Sequence, residues 1–206
     1  MSAARDEMLA RIRTALADAD PVAVTRAYRE VGTLDRVGVV ARFVDRVEDY
    51  GATVIRSSDP ALAAAAALNG RVVIARDLPV ALRPVDVELV EDDGLTASQL
   101  DEIEAALTTC AAACAETGSI ALDGGPGQGR RAITLVPDLH VCIVRLTDIV
   151  ETVPELIDRL APSAREGRPI VIVSGPSATS DIELDRVEGV HGPRRLVVVL
   201  YDDSST

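Results

Sequence analysis

The sequence predicts an α/β protein, a single domain in which helices flank a mixed β-sheet. Helical and strand patterns alternate between residues 34 and 75, which is typical of a sheet with helices on its faces. Residues 170–173 and 196–200 are short β-branched runs bounded by Gly or Pro, and such runs favour buried strands. With 206 residues, the chain can bury about 70% of its unfolded surface in one core.

Composition excludes several classes of function. The formal net charge of −12 argues against binding to nucleic acid, which needs a basic face. No run of 18 apolar residues exists, so no membrane span is expected. The first 17 residues lack an apolar segment followed by a cleavage site, and the three cysteines fit reduced thiols. These features together predict a cytoplasmic location.

The N-terminal third is expected to begin with a helical extension. Met8, Leu9, Ile12 and Leu16 have helical spacing, which predicts an amphipathic helix over residues 3–18. We place the extension at residues 1–32 and the main domain at 33–203. Within the domain, a second helix over 34–50 is expected to have Thr33 as its N-cap, and a first strand should cover 52–56.

The middle of the chain continues the alternation. Asp59-Pro60 predicts the start of a helix to residue 68, and strands are expected at 71–75, 85–90 and 118–122. Ala, Leu, Glu and Gln over 98–115 favour one long helix. The glycines of 123–129 predict a mobile loop. The apolar run 139–146 predicts a central strand, and a helix should start at 152–154 and end near residue 160.

A polar segment, residues 174–193, lies between the last two predicted strands. Its small residues can expose backbone N–H groups, and Ser177 or Thr179 could cap a following helical turn. Such a turn would be an anion cradle. His191, one of two histidines in the chain, lies between flexible glycines of the same segment. The sequence therefore predicts a ligand site here.

Four strings resemble the lactate utilization protein C family, which carries the LUD domain. They are SGPSATSDIE at residues 174–183, GVHGP at 189–193, AETGS at 115–119 and PDLH at 137–140. The resemblance covers residues 34–202 and is strongest after Cys110. Ala178 departs from the commoner family pattern, in which a basic residue often stands.

The resemblance implies a fold, a role and partners. The fold would be a Rossmann-like domain of the NagB/RpiA/CoA-transferase-like type. Residues 98–115 would then divide into a short helix, a strand over 105–109 and a helical turn. The role would be oxidation of L-lactate to pyruvate, as the subunit without iron–sulfur clusters beside cluster-bearing partner subunits.

The predicted site combines residues from all four of these strings. The catalytic candidates are His191 and Glu116, because a histidine can transfer protons and a carboxylate can form a thioester. The ligand-binding candidates are Thr117, Gly118, His140, Ser174, Gly175, Ser177, Thr179, Asp181 and Gly192. If they share one ligand, residues 116–118 and 174–179 must be neighbours in space. The ligand would be a small anionic metabolite.

Structural roles remain open for the same residues. His140 and His191 could each make a hydrogen bond that fixes the backbone, and Glu116 could form a salt bridge. The glycine-rich loop lacks the ending of a phosphate-binding loop, although Arg130 and Arg131 beyond it could hold an acid. Cys110, Cys114 and Cys142 are too few for a cluster, so no metal or cofactor is expected.

Two other functions stay possible at this stage. One is a stand-alone enzyme acting on a small acid, a sugar phosphate or a CoA ester, and the other is a ligand-binding module without catalysis.

Overall fold

A parallel sheet of six strands forms the centre of the protein. The structure, a computed structural model, describes residues 3–17, 24–180, 186–188 and 192–202. The helices are α1 (Ala3–Ala15), α2 (Arg36–Asp49), α3 (Pro60–Ala67), α4 (Ala97–Asp101) and α5 (Val153–Arg165). The strands are β1 (Thr53–Arg56), β2 (Arg71–Ile74), β3 (Glu88–Glu91), β4 (Ala105–Thr108), β5 (Ala112–Cys114), β6 (Ser119–Leu122), β7 (Leu139–Arg145), β8 (Ile149–Val150), β9 (Val171–Val173), β10 (Ala178–Ser180), β11 (Arg186–Glu188) and β12 (Arg195–Tyr201).

The six central strands have the order β1-β12-β7-β4-β2-β3. Every pair in this sheet is parallel, so all amino ends lie along one edge and all carboxyl ends along the opposite edge. A second sheet of four strands, in the order β8-β5-β6-β9, mixes parallel and antiparallel pairs. The α/β prediction is confirmed, and the mixed pairing occurs in the second sheet.

The elements stack in layers on both faces of the parallel sheet. Along β7, Cys142 and Val144 belong to the core that α2 and the second sheet form on one face. Val141 and Ile143 face the core under α3 on the other side. Helix α5 covers the outer face of the second sheet, where Leu156 packs on small residues of β5 and β6. The second sheet is therefore buried between the parallel sheet and α5.

Strand β5 corrects the prediction for the end of residues 98–115. The single long helix favoured by propensity does not form, since α4 ends at Asp101 and β4 follows. The expected helical turn before Glu116 is also wrong, because Ala112–Cys114 pairs with β6 on one side and β8 on the other. Its side chains are small and fully buried, which allows α5 to approach closely.

Three further expectations are wrong in detail. The N-cap of α2 is Asp35 rather than Thr33, and the Asp35 carboxylate accepts a hydrogen bond from the Gly38 N–H. Strand β9 lies at an edge of the second sheet, where Ile172 is 51% exposed, so it is not a buried strand. No helical turn follows Ser177, because the next residues form β10 and pair with β11.

The glycine-rich loop of residues 123–129 is fixed by hydrogen bonds rather than free. Asp123 and Gln128 are buried, and the Asp123 N–H donates to the Gln128 side chain at 2.7 Å. The Gly127 N–H donates to the Asp77 carboxylate at 3.1 Å, and its carbonyl accepts from the Thr109 N–H. The loop is thus joined to the carboxyl end of β4.

Contacts cross the boundary that the sequence predicted at residue 32. The Gly32 N–H donates to Glu155 and the Leu34 N–H donates to the buried Glu151 at 2.6 Å. Arg29 forms an ion pair with Glu116. These carboxylates hold the segment before α2 against the start of α5. The division at residue 32 stays a prediction.

Within the ranges that the structure covers, no helix is long and apolar enough to cross a membrane.

Candidate functional site

Five of the predicted site residues line one cavity at the amino ends of β7 and β12. The cavity has a volume of about 310 Å³. The predicted residues in its lining are His140, Ser174, Gly175, Ser177 and Gly192. The lining also includes Arg131, Thr134 and Leu196. We call this cavity the His140 pocket. Residues of β9 close its side, so it lies between the two sheets.

His140 is a buried, uncharged histidine in the lining of the pocket. It is the second residue of β7, where it pairs with Leu196 of β12 and Ala106 of β4. Its Nε2 lies 2.8 Å from the Thr108 Oγ1, a hydrogen-bonding distance. Burial lowers the pKa of His140 from 6.5 to about 4. At neutral pH the ring therefore carries no charge and can offer only hydrogen bonds.

A chain of hydroxyl groups connects the two predicted parts of the site, residues 116–118 and residues 174–179. The Thr117 Oγ1 donates to the Ser119 Oγ at 2.8 Å, and the Ser119 Oγ lies 2.7 Å from the Ser174 Oγ. The pairing of β6 with β9 produces this contact, because Ile120 is the register partner of Val173. The expectation that residues 116–118 and 174–179 are neighbours is confirmed by these contacts.

Two glycines let these turns pack against the carboxyl-terminal end of α2. Gly118 has φ of +62°, and a Cβ there would lie 2.9 Å from the Arg46 carbonyl carbon. Gly175 has φ of +85°, and its Cβ would lie 2.6 Å from the Cβ of Tyr50. Both positions thus require glycine for conformation and for space. Their role is to fix the turns beside the pocket.

Arg131 is the cationic side chain of the lining. It lies in a short 3₁₀ helix of residues 131–134 and is exposed. Among the described residues, no carboxylate lies within 4.0 Å of its guanidinium. Arg130 differs, since its guanidinium binds the Asp92 carboxylate at 2.5 Å and the Leu95 carbonyl. Of the two predicted acid-binding arginines, only Arg131 is available at the pocket.

Other predicted residues lie elsewhere. Glu116 is outside the lining, and it binds Arg29 and accepts a hydrogen bond of 3.4 Å from the Val153 N–H at the start of α5. Thr179 belongs to β10. His191 and Asp181 lie outside the described residues. The candidates that line the His140 pocket are therefore His140, Ser174, Gly175, Ser177 and Gly192. Thr117 and Gly118 lie outside the lining, and Thr117 is connected to it through Ser119 and Ser174.

Sequence reasoning missed a second and larger cavity. It lies at the carboxyl ends of β1, β12, β7 and β4 and has a volume of about 690 Å³. We call it the carboxyl-end cavity. Its lining includes Arg145, Arg159, Arg168, Asp123, Asp148 and Asp202. The alternation of helices and strands could have indicated this cavity, because such alternation is typical of parallel sheets. Ligands of such sheets bind outside the carboxyl ends of the strands.

The cysteines are free and buried. Cys114 lies in β5, Cys142 in β7, and Cys110 in the lining of the carboxyl-end cavity. A hydrogen bond with Cys142, together with burial, raises the pKa of the Cys110 thiol well above its usual value. No group of three or more His, Cys, Asp or Glu side chains in the described part of the chain could hold a metal ion.

Comparison with known proteins identifies a family. A family model described as the LUD domain matches residues 88–201. Lactate utilization protein C of Deinococcus radiodurans is 45% identical over 202 residues, which span 96% of this chain and 95% of that protein. Lactate utilization protein C of Bacillus pumilus is 37% identical over 93 residues, or 43% of this chain and 38% of that protein.

A solved structure has a similar fold. It is the crystal structure of a DUF162 family protein from Deinococcus radiodurans, with a TM-score of 0.72 and 38% sequence identity. The match covers 82% of this chain and 99% of the solved chain.

Proposed function

The chain belongs to the lactate utilization protein C family with its LUD domain, and we propose that it serves lactate utilization as a subunit of an L-lactate oxidation system. The observation that carries the proposal is the 45% identity to a lactate utilization protein over 96% of the chain. An identity of this size over almost the full length supports a shared role.

The His140 pocket supports binding of a small monocarboxylate such as lactate or pyruvate. Its volume of about 310 Å³ is at the lower end of the range for small-molecule sites and has ample room for such an acid. The guanidinium of Arg131 can form paired hydrogen bonds with a carboxylate. Ser174, Ser177 and Thr134 add hydroxyl groups that can bind the 2-hydroxyl or keto oxygen. Arg131 is the one cation among the described residues of the lining, and it matches the single negative charge of a monocarboxylate.

In this proposal His140 orients the ligand through a hydrogen bond. Its ring is neutral because burial lowers its pKa to about 4, so it adds no second positive charge to the pocket. Thr108 holds the ring through Nε2. A fixed neutral imidazole can discriminate the hydroxyl of lactate from an apolar substituent.

The transfer of electrons is assigned to partner subunits. An iron–sulfur cluster usually needs four thiolates, and this chain has three cysteines. The raised pKa of Cys110 further disfavours a thiolate there. We therefore propose that cluster-bearing partners accept the electrons while this chain holds the small acid or supports the assembly.

Growth on lactate tests this function. A strain that lacks the gene for this chain should fail to grow on L-lactate and should grow normally on pyruvate. The wild-type gene and Arg194→Gln should restore growth, whereas Arg131→Gln should not. Arg194 is a matched control because it lies at the same sheet edge, exposed and paired with Asp138 at 3.6 Å. Normal growth of the deletion strain on lactate would refute the proposal.

A further inference from the structure

The carboxyl-end cavity is formed by the ends of four neighbouring parallel strands. Ser58 follows β1, Thr109 follows β4, Arg145 ends β7 and Tyr201 ends β12. Crevices outside the carboxyl ends of parallel strands are the usual ligand sites of open α/β sheets. The volume of about 690 Å³ is more than twice that of the His140 pocket, which lies at the opposite edge. The two cavities can therefore hold different ligands.

Two guanidinium groups converge on one carboxylate in this cavity. The Arg145 Nε lies 2.8 Å from the Asp148 Oδ2, and the Arg159 Nη1 lies 4.0 Å from the Asp148 Oδ1. Asp148 is buried, whereas the side chains of Arg145 and Arg159 are each 49% exposed. The buried Asp148 thus holds the half-exposed guanidinium groups of Arg145 and Arg159 in the lining of the cavity.

A third arginine of the lining is held by Asp123 and Ser163. The Arg168 Nη1 lies 3.1 Å from the Asp123 Oδ2, and its Nη2 donates to the Ser163 Oγ at 2.6 Å. Asp123 belongs to the fixed glycine-rich loop, which also contributes Gln128 to the lining. The cavity thus combines arginines from β7, α5 and the segment after α5 with hydroxyl and amide groups.

The hydrogen-bond geometry of the cavity favours a phosphate over a monocarboxylate. Among the described residues, the lining has three arginines and three aspartates, so it is neutral in a chain whose formal charge is −12. Each aspartate repels an anion as each arginine attracts it, so the preference comes from the acceptor oxygens of the ligand rather than from its net charge. Phosphate offers three acceptor oxygens in the geometry that guanidinium groups bind, whereas a carboxylate offers two.

From these observations we propose that the carboxyl-end cavity binds a phosphorylated ligand, with its phosphate between Arg145 and Arg159 and its hydroxylated body towards Ser58, Thr109 and Gln128. This site is separate from the His140 pocket and does not depend on the role in lactate utilization.

Phosphorus NMR of the purified full chain tests the proposal. Inorganic phosphate and adenosine monophosphate are titrated separately with the protein in a buffer free of other phosphates. We expect a change in chemical shift or line width that saturates for at least one of the two probes. Arg159→Gln should weaken that binding by about tenfold or more, because one charge-assisted pair is lost.

Arg165→Gln is the matched control. Arg165 lies in the last turn of the same helix, is exposed, and does not line the cavity. It should bind both probes as the wild type does. A second test variant, Arg168→Gln, removes the third arginine of the lining and should also weaken binding. Circular dichroism confirms that each variant is folded.

Two results would overturn the proposal. One is that neither probe binds the wild-type chain at millimolar concentration. The other is that folded Arg159→Gln and Arg168→Gln bind as tightly as Arg165→Gln. Growth on lactate is measured independently, so failure of this proposal is distinct from failure of the proposed function.

Discussion

The two ends of the parallel sheet carry different chemistry. At the amino ends, the described lining of the His140 pocket has a neutral histidine, several hydroxyl groups and one cation, Arg131. At the carboxyl ends, three arginines and three aspartates among the described residues line a cavity of about 690 Å³. The two edges of the parallel sheet thus carry cavities with different linings, and residues of β9 in the second sheet line the one at the amino edge.

The second sheet explains why the amino-end pocket exists. Strands β6 and β9 pair beside β7, and the turns that precede β6 and follow β9 meet through Ser119 and Ser174. The glycines of these turns pack on α2, which fixes them over the end of β7. At the carboxyl end, ion pairs and the hydrogen bonds of the glycine-rich loop position the lining.

Replacing Gly118 should give the largest loss of stability among the changes considered. In Gly118→Ala the new Cβ would meet the backbone of Arg46 and Val47, and the residue would keep φ of +62°. Strain and overpacking together should cost about 3 kcal/mol. The melting temperature should then fall by about 6–12 °C in a chain of this size.

Gly167→Ala serves as the matched control for close packing. Gly167 has φ of +73°, but nothing lies within 4 Å of the position of a Cβ. Only conformational strain applies, so the free energy of unfolding should fall by about 1 kcal/mol. Equal losses in the two variants would show that the turn before β6 does not depend on its approach to α2.

Acid should affect the two ends in different pH ranges. His140 takes up a proton near pH 4 when folded and near 6.5 when unfolded, so its contribution is complete above pH 6.5 and is lost towards pH 4. The loss should reach about 3 kcal/mol. Urea unfolding between pH 7.5 and 4.5 should show this fall in the wild type and not in His140→Gln.

Asp123 should respond at lower pH. Burial alone would raise its pKa, but hydrogen bonds from Ser163 and Gly125 and the charge of Arg168 lower the pKa below 3.8. Its stabilising effect is therefore present above pH 3.8 and is lost only as the pH falls further. Parallel stability curves for wild type and His140→Gln above pH 4.5 would contradict the assignment of the higher range to His140.

The hydroxyl chain should contribute a smaller amount. Ser119→Ala removes hydrogen bonds to both Thr117 and Ser174, and should cost about 2 kcal/mol. Ser174→Ala leaves the Thr117–Ser119 bond intact and should cost about 1 kcal/mol. Denaturant unfolding of the two variants and the double variant measures this, and the double variant should lose less than the sum.

Glu116→Gln should have the smallest effect. The carboxylate is 37% exposed, and exposed ion pairs such as that with Arg29 contribute at most about 1 kcal/mol. We also expect normal growth on lactate, because Glu116 lies outside the His140 pocket. Lost growth with unchanged stability would instead support the nucleophilic role that the resemblance suggested.

Local patterns predicted much of the fold but not the second sheet. Strands β7 and β12 are apolar and β-branched, so the central position of β7 and the burial of β12 followed from composition. Strand β5 consists of Ala112, Ala113 and Cys114, which have no strand preference, and only pairing with β6 and β8 makes it a strand. Burial of small residues under α5 is a long-range effect that no short window contains.

The same limit applies to the sites. The Ser174 loop and His140 were predicted because each belongs to a distinct string, and the structure brings them together. Arg145, Arg159 and Arg168 are spread over separate elements, so no motif marks them. Their convergence depends on the parallel register of β7 and on the position of α5.

Binding of pyruvate and lactate tests most directly whether the two ends have separate ligands. Calorimetric titration should be done with the wild type, Arg131→Gln and Arg159→Gln. We predict that Arg131→Gln loses binding of the monocarboxylates by about tenfold or more, whereas Arg159→Gln retains it. Retained binding in Arg131→Gln together with lost binding in Arg159→Gln would place the small acid at the carboxyl end and contradict the assignment of the His140 pocket.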